Sequence, residues 1–213
     1  MASLLIYSGG LDSTTMLYEY KDSIALAVSF DYGSKHNARE IACAAENCRL
    51  LGIRHMIIPL GFIGQYFKSD LLLSGGEIPE GSYADDNMRS TVVPFRNGIM
   101  LAVAAGLAES YELDAIMLAN HSGDHAIYPD CRPAFIDAFA AAVQAGTYNG
   151  VRLLSPYCNM SKRDIALRGK ALGIDYSKTY SCYKGGEKHC GKCGTCTERK
   201  EALEGFDPTE YLY

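Results

Sequence analysis

Short apolar runs alternate along the chain with longer segments whose apolar residues recur every three or four positions. Residues 4–7, 24–30, 55–60, 115–119 and 151–154 are runs of strand length. Between them lie helical patterns. Residues 37–51 open on Asn37-x-x-Glu40, the spacing of a capping box. They place Ile41, Ala44, Ala45 and Cys48 on one stripe and stop at Gly52. Residues 133–145 begin with Pro133 in the first turn, carry Ile136, Phe139, Ala140 and Val143 on one face, and end at Gly146. A third helix opens at Ser161-x-x-Asp164 and closes at Gly173. Strands alternating with helices predict an open, mostly parallel five-stranded sheet with helices on both faces.

Two segments break this pattern. Residues 67–92 are polar and glycine-rich, with Ser74-Gly75-Gly76, Gly81-Ser82 and Asp85-Asp86-Asn87. A stretch this long reads as a functional loop or lid. Residues 180–213 hold a cysteine cluster and no strand pattern. The organisation expected is therefore an α/β domain over 1–179 with a C-terminal appendage over 180–213. No internal repeat or low-complexity segment is visible.

Composition narrows the function classes. The 213 residues are 48% hydrophobic and 21% charged, which suits one domain with a sizeable core. The net charge of −5 excludes a generic basic surface and argues against nucleic acid as the main partner. No run approaches the roughly 18 apolar residues of a membrane span, and no basic-then-apolar leader opens the chain. A cytoplasmic, reducing setting is expected, in which the eight cysteines read as metal ligands or thiols before disulfides.

Ser8-Gly9-Gly10-Leu11-Asp12-Ser13 follows the first strand and leads into a helix. Glycines admit a close ligand, their amides can face phosphate oxygens, and a helix N-terminus favours an anion. The loop lacks the G-K-[ST] of a Walker A motif and the G-x-G-x-x-G of a dinucleotide fold. Asp12 beside phosphate needs a reason: it caps the helix or meets magnesium. The alternative is a plain strand-to-helix turn with a serine cap. The string resembles the pyrophosphatase loop, S-G-G-x-D-S, of the N-type ATP pyrophosphatases. That resemblance implies an adenine nucleotide alpha hydrolase-like fold and cleavage of ATP between the α- and β-phosphates.

Cys182, Cys190, Cys193 and Cys196 form C-x7-C-x2-C-x2-C, with Gly191 and Gly194 where a chain wraps round an ion. Zinc suits four such thiolates; an iron–sulfur cluster and unligated thiols are the alternatives. Four cysteines leave no open coordination position, so the metal would be structural. His189 reads as flanking the set, and Cys43, Cys48 and Cys158 as small buried apolar residues.

The loops after the second, third and fourth strands carry the remaining chemistry. Asp31-Tyr32-Gly33-Ser34-Lys35-His36 is one, and Val92-Val93-Pro94-Phe95-Arg96-Asn97 opens a helix with Pro94 at its start. Asn120-His121-x-Gly123-Asp124 and Tyr128-Pro129-Asp130-Cys131-Arg132 bring carboxylates, a tyrosine and an arginine to one sheet edge. A carboxylate can accept from a guanine-like base, and an arginine fork can hold a carboxylate. Solvated side chains and a local turn salt bridge are the simpler readings.

Taken in order, these motifs resemble the 7-cyano-7-deazaguanine synthases of queuosine precursor biosynthesis. The matching strings are S-G-G-x-D-S, F-D-Y-G-x-x-H, V-V-P-x-R-N, N-x-x-x-D-x-x-x-Y-P-D-C-R and S-C-Y-x-G-x-x-x-H-C-G-x-C-x-x-C, with Ser161-Lys162 before the last of them. Ser34-Lys35 and Tyr180 depart from the Gln-Arg and Trp often found there. The resemblance implies an ATP-dependent ligase that joins ammonia to 7-carboxy-7-deazaguanine and then dehydrates the amide, with ATP, magnesium and one structural zinc per chain, as a homodimer.

It implies catalytic roles for Ser8, Asp12, Ser13 and Lys162. ATP would meet Ser8, Gly9, Gly10, Leu11, Asp12, Ser13, Thr14 and Arg96. The deazaguanine would meet Asp31, Tyr32, His36, Asp124, Tyr128, Asp130 and Arg132. A tRNA-thiolating enzyme of the same superfamily, a variant halting at the amide, and a nucleotide-binding module without chemistry are the competing readings. For Lys162, a cation in a helix's first turn opposes the macrodipole, so its replacement is expected to leave stability unchanged or slightly raised.

Overall fold

A computed structural model describes residues 1–82 and 86–213. The chain runs β1 (Ser3–Ile6), α1 (Leu11–Glu19), β2 (Ile24–Asp31), α2 (Asn37–Leu51), β3 (His55–Pro59), α3 (Gly61–Tyr66) and α4 (Arg96–Ser110). It continues through β4 (Ala115–Met117), α5 (Pro133–Gly146), β5 (Arg152–Leu154), α6 (Lys162–Ala171) and α7 (Gly194–Ala202). The five strands form one sheet in the order β3-β2-β1-β4-β5, every neighbouring pair parallel.

Side-chain alternation along β1 divides the core. Leu4 faces one side with Leu26, Val28 and Ile116, covered by Leu101, Ala104 and Ala108 of α4 and Ile136 and Val143 of α5. Leu5 faces the other with Ala27 and Met117, covered by Leu11, Met16 and Leu17 of α1, Ala44 and Cys48 of α2, and Ile165 and Ala166 of α6. Met88–Ser110 is long and apolar enough to cross a membrane (mean hydropathy 1.4), which the run-length reading did not anticipate. Half of that window is buried inside the protein, with α4 against β1 and β4.

The strand order reverses at β1, which has β2 on one side and β4 on the other. In open α/β sheets the crevice at such a reversal, beyond the carboxyl ends of the strands, is where ligands bind. The loops leaving β1, β2 and β4 open there.

The 67–92 loop has some structure of its own. Ser34 bridges Leu72, Glu80 bridges Cys193, and a 3-10 turn covers Asp86–Thr91. Lys35 does not point to solvent: its ammonium donates to the carbonyls of Leu72 and Gly76, tying Ser74-Gly75-Gly76 to the loop after β2. Asp85 lies outside the described residues. From Tyr180 onward the chain returns across the site edge, with Tyr180 N donating to Gly9 O at 3.1 Å. The fully buried Arg199 of α7 holds this segment down by donating to Tyr176 O, Thr179 Oγ1, Ser181 Oγ and Thr209 Oγ1.

Candidate active site

The loop after β1 is shaped by its glycines. Gly9 has φ +90° and lies against α2, where a Cβ would overlap the Glu40 carbonyl oxygen. Gly10 stands at the N-cap of α1 with no side-chain cap. The loop closes on itself through Ser8 Oγ, which accepts from Gly10 N at 3.1 Å and lies 3.0 Å from Ser13 Oγ. Asp12 is in the first turn but does not cap the helix. Its Oδ2 sits 3.2 Å from Lys162 Nζ, while its Oδ1 is buried with no hydrogen-bond partner among the described residues. A carboxylate oxygen kept from water in this way suits a cation.

Lys162 reaches this point because Ser161 forms the capping box the sequence predicts. Ser161 Oγ accepts from Asp164 N, and Asp164 Oδ2 accepts from Ser161 N. The lysine then extends over the phosphate loop, 2.8 Å from Glu198 Oε2 on α7. Burial opposes its charge, but Asp12 and Glu198 outweigh burial and hold the ammonium above its ordinary range. The expected penalty from the helix dipole is thus compensated by two carboxylates. His121 completes the group, with Nε2 3.8 Å from Asp12, 3.7 Å from Asp124 and 3.9 Å from Glu198.

The other half of the cleft departs from the sequence reading at α2. Asn37 and Glu40 do not form a capping box, and the helix has His36 at its N-cap without a side-chain cap. Asn37 braces the preceding loop instead. Its Oδ1 accepts from Tyr32 N and Ser34 N, and its Nδ2 donates to Phe30 O. Glu40 is left to face the cleft, with Oε2 3.5 Å from the buried His36 Nε2. Burial holds Glu40 up at about 8 and, with Arg96, lowers His36 to about 3.

Helix α4 starts at Arg96, two residues after the proline expected to open it. Phe95 takes φ +52°, a left-handed turn rarely adopted by an aromatic residue, and swings Arg96 inward. Arg96 Nη1 donates to Tyr32 OH at 3.1 Å. Tyr128 is buried with its hydroxyl 3.0 Å from that of Tyr183.

The cleft brings together Ser8, Gly10, Leu11, Asp12, Ser13, Tyr32, His36, Arg96, Asp124, Tyr128 and Lys162. Other predicted residues sit elsewhere. Gly9 lies beneath the loop, and Thr14 is buried with its hydroxyl against Tyr7 OH. Asp31 is exposed and accepts from Gly33 N. Asp130 is buried and accepts from Asn97 N, capping α4 from outside the helix. Arg132 is exposed and donates to His125 O. The sequence reading omitted Glu40, His121, Tyr183 and Glu198. His121 stood inside a quoted motif, whereas nothing local marked Glu198.

The four predicted cysteines converge. Their sulfurs lie within 4.8 Å of one another and all four residues are buried. Cys190 Sγ is 3.9 Å from Cys196 Sγ, and Cys193 Sγ is 4.0 Å from Cys182 Sγ. A tetrahedron of sulfurs at about 2.3 Å from a central zinc has edges of about 3.8 Å. Backbone amides of Cys190 and Cys193 point at Cys182 Sγ and Cys190 Sγ, as they would toward thiolates. The donor set therefore fits a metal ion. His189 is not one of the converging set; its Nε2 accepts from Ser181 N.

A family model described as queuosine biosynthesis protein QueC matches residues 2–207. A 7-cyano-7-deazaguanine synthase from Porphyromonas gingivalis is 65% identical over 212 residues, covering 98% of this chain and 96% of that protein. Another, from Desulfotalea psychrophila, is 54% identical over 215 residues, covering 99% and 98%. Among solved structures, the NMN synthetase of Francisella tularensis aligns over 87% of this chain and 68% of its own, with a TM-score of 0.50 and 13% identity. That likeness concerns the fold alone.

Proposed function

Because the chain belongs to the queuosine biosynthesis protein QueC family, we propose that it is an ATP-dependent ligase converting 7-carboxy-7-deazaguanine and ammonia into 7-cyano-7-deazaguanine. The observation that carries the reading is near-full-length identity of 65% and 54% to proteins named for that product. A site with a glycine loop, a buried lysine and clustered carboxylates beside an aromatic chamber supports it.

The chemistry needs activation twice. A carboxylate is a poor electrophile, so its oxygen attacks the α-phosphate of ATP and diphosphate leaves. Ammonia then displaces AMP to give the amide. A second adenylation, on the amide oxygen, allows its loss as AMP and leaves the nitrile. Two ATP are consumed per nitrile.

Ser8, Gly10, Leu11 and Ser13 would cradle the phosphates, with Gly9 and Thr14 shaping the loop from behind. Lys162 would stabilise charge building on the α-phosphate and leaving diphosphate. Arg96 would offset negative charge across the cleft. Asp12, whose Oδ1 is buried and unpartnered, would hold magnesium, which neutralises phosphate oxygens when bound. Tyr32, His36, Asp124 and Tyr128 would line the deazaguanine chamber. Asp31, Asp130 and Arg132 would act through loop and helix geometry. Cys182, Cys190, Cys193 and Cys196 would hold one structural zinc, securing 180–213 on the 1–179 domain. A cytoplasmic homodimer belongs to the same reading. Support comes from cysteines without disulfides and from exposed apolar Phe62, Tyr66 and Leu73.

Exchange of labelled diphosphate into ATP tests the proposal. It should require 7-carboxy-7-deazaguanine. Exchange independent of that acid, or none at all, would overturn the reading.

A further inference from the structure

We propose that Glu40 is the base that takes the proton from ammonia as it attacks the activated carboxylate. The inference rests on the ligase reading above and adds a residue to it.

Making an amide from an acyl adenylate requires a proton acceptor. The ammonia nitrogen forms a bond to the acyl carbon, and the carbon–oxygen bond to AMP breaks with its electron pair on AMP. The nitrogen is left with a proton to lose. The acceptor must stand beside the acyl carbon, near both the phosphate loop and the chamber for the base.

Glu40 stands at that border. A Cβ on Gly10 would lie 3.8 Å from Glu40 Oε1, so the carboxyl overhangs the phosphate loop. On its other side Oε2 is 3.5 Å from His36 Nε2, which in turn lies 3.5 Å from Tyr32 OH. Glu40 lines the cleft with Ser8, Asp12, Arg96 and Lys162. The other carboxylates near the loop are less suited. Asp12 and Glu198 are both paired to Lys162, Asp124 accepts from His121 N and faces the His121 ring, and Asp130 caps α4.

Its acidity fits the task. A base works best when its pKa lies near the operating pH, and burial holds Glu40 at about 8. Arg96 from α4 and Lys162 from α6 pull in the other direction. Tyr32, Cys43 and the neutral His36 are titratable neighbours of Glu40 as well. A buried carboxyl also avoids forming a permanent ion pair with ammonium, which would hold the nucleophile in its unreactive form. After the transfer, the proton passes from Glu40 to water that enters the cleft when AMP leaves.

The test compares two nucleophiles. Hydroxylamine is less basic than ammonia, so its adduct sheds a proton to water without help. Amide or hydroxamate formation from 7-carboxy-7-deazaguanine and ATP is followed for the unaltered chain and for Glu40→Gln. General-base assistance is typically worth 10²–10⁴-fold. Glu40→Gln should therefore lose at least about 100-fold with ammonia and less than about tenfold with hydroxylamine. Equal losses with both, or no loss, would overturn the proposal while leaving the ligase reading in place. An unaltered chain that makes neither product would overturn the ligase reading instead. Should Glu40→Gln not fold, the unaltered chain supplies the test. Its rate per neutral ammonia should rise through about pH 8, while its hydroxylamine rate per neutral amine should not. Parallel profiles would contradict the role.

Discussion

Glu198 Oε2 lies 2.8 Å from Lys162 Nζ, and the same ammonium lies 3.2 Å from Asp12 of the phosphate loop. Glu198 sits two residues beyond the metal-site Cys196, on a helix whose N-cap is Cys193. The cysteine segment therefore reaches into the cleft and supplies one of its charges. Folding of 180–213 and the position of Lys162 are linked through this contact and through Arg163 beside it, whose guanidinium donates to Ala202 O and Glu204 O.

Glu198→Ala should accordingly impair both stability and chemistry. Removing one partner of a buried ion pair costs about 3–5 kcal/mol, and the low end applies here because Asp12 still pairs with Lys162. For a chain of this size about 3 kcal/mol is a fall of roughly 6–12 °C in Tm. Thermal unfolding checks the first effect, and diphosphate release at saturating ATP checks the second. A Tm and a rate both equal to those of the unaltered chain would show that the pair contributes nothing.

Lys162→Ala should lower turnover by at least about tenfold, equivalent to about 1.4 kcal/mol. From the sequence, Tm would be unchanged or slightly raised, because the cation opposes the dipole of α6. The structure reverses that sign. Without the lysine, Asp12 and Glu198 lose the cation that both approach, so Tm should fall. Calorimetry of the variant decides between them.

Metal analysis should find one zinc per chain. Chelation, or Cys190→Ser, should lower Tm and also slow diphosphate release, because α7 carries Glu198. Iron with acid-labile sulfide in place of zinc would contradict the assignment. A lowered Tm with an unaltered rate would separate the cysteine segment from the cleft.

Stability should also report on Glu40. Its folded value is raised, so the stabilisation it gives is complete below its ordinary carboxylate range and is lost as pH rises through about 8. Glu40→Gln should flatten the fall in Tm between about pH 5 and about pH 9. His36 works in the opposite direction. Its folded value is lowered, so its contribution is lost as pH falls toward about 3. An unchanged slope for Glu40→Gln between about pH 5 and about pH 8 would place the carboxyl in solvent.

The sheet was legible because its strands are continuous apolar runs, and all five fall within a few residues of their predicted positions. Ser161-x-x-Asp164 announced α6 and so placed Lys162. The same spacing misled at Asn37-x-x-Glu40. There Asn37 finds backbone partners in the loop behind it, and the cleft takes Glu40. Local spacing cannot distinguish these outcomes, since they depend on how the neighbouring chain folds back against the residue. Glu198 was illegible for the same reason. It meets Lys162 across 36 positions of sequence, and its neighbours Thr197, Arg199 and Lys200 resemble an ordinary helix surface. Asp130 looked like a ligand-reading carboxylate because it follows a strand, yet the open N-terminus of α4 claims it.

Mass spectrometry of the products made from ATP, ammonia and 7-carboxy-7-deazaguanine tests the central claim most directly. The account predicts 7-cyano-7-deazaguanine with two AMP per nitrile, the amide appearing as an intermediate, and no product from Asp12→Ala or Ser13→Ala. Accumulation of the amide with one AMP, AMP formed without the carboxylate, or diphosphate release at the unaltered rate in both variants would contradict it.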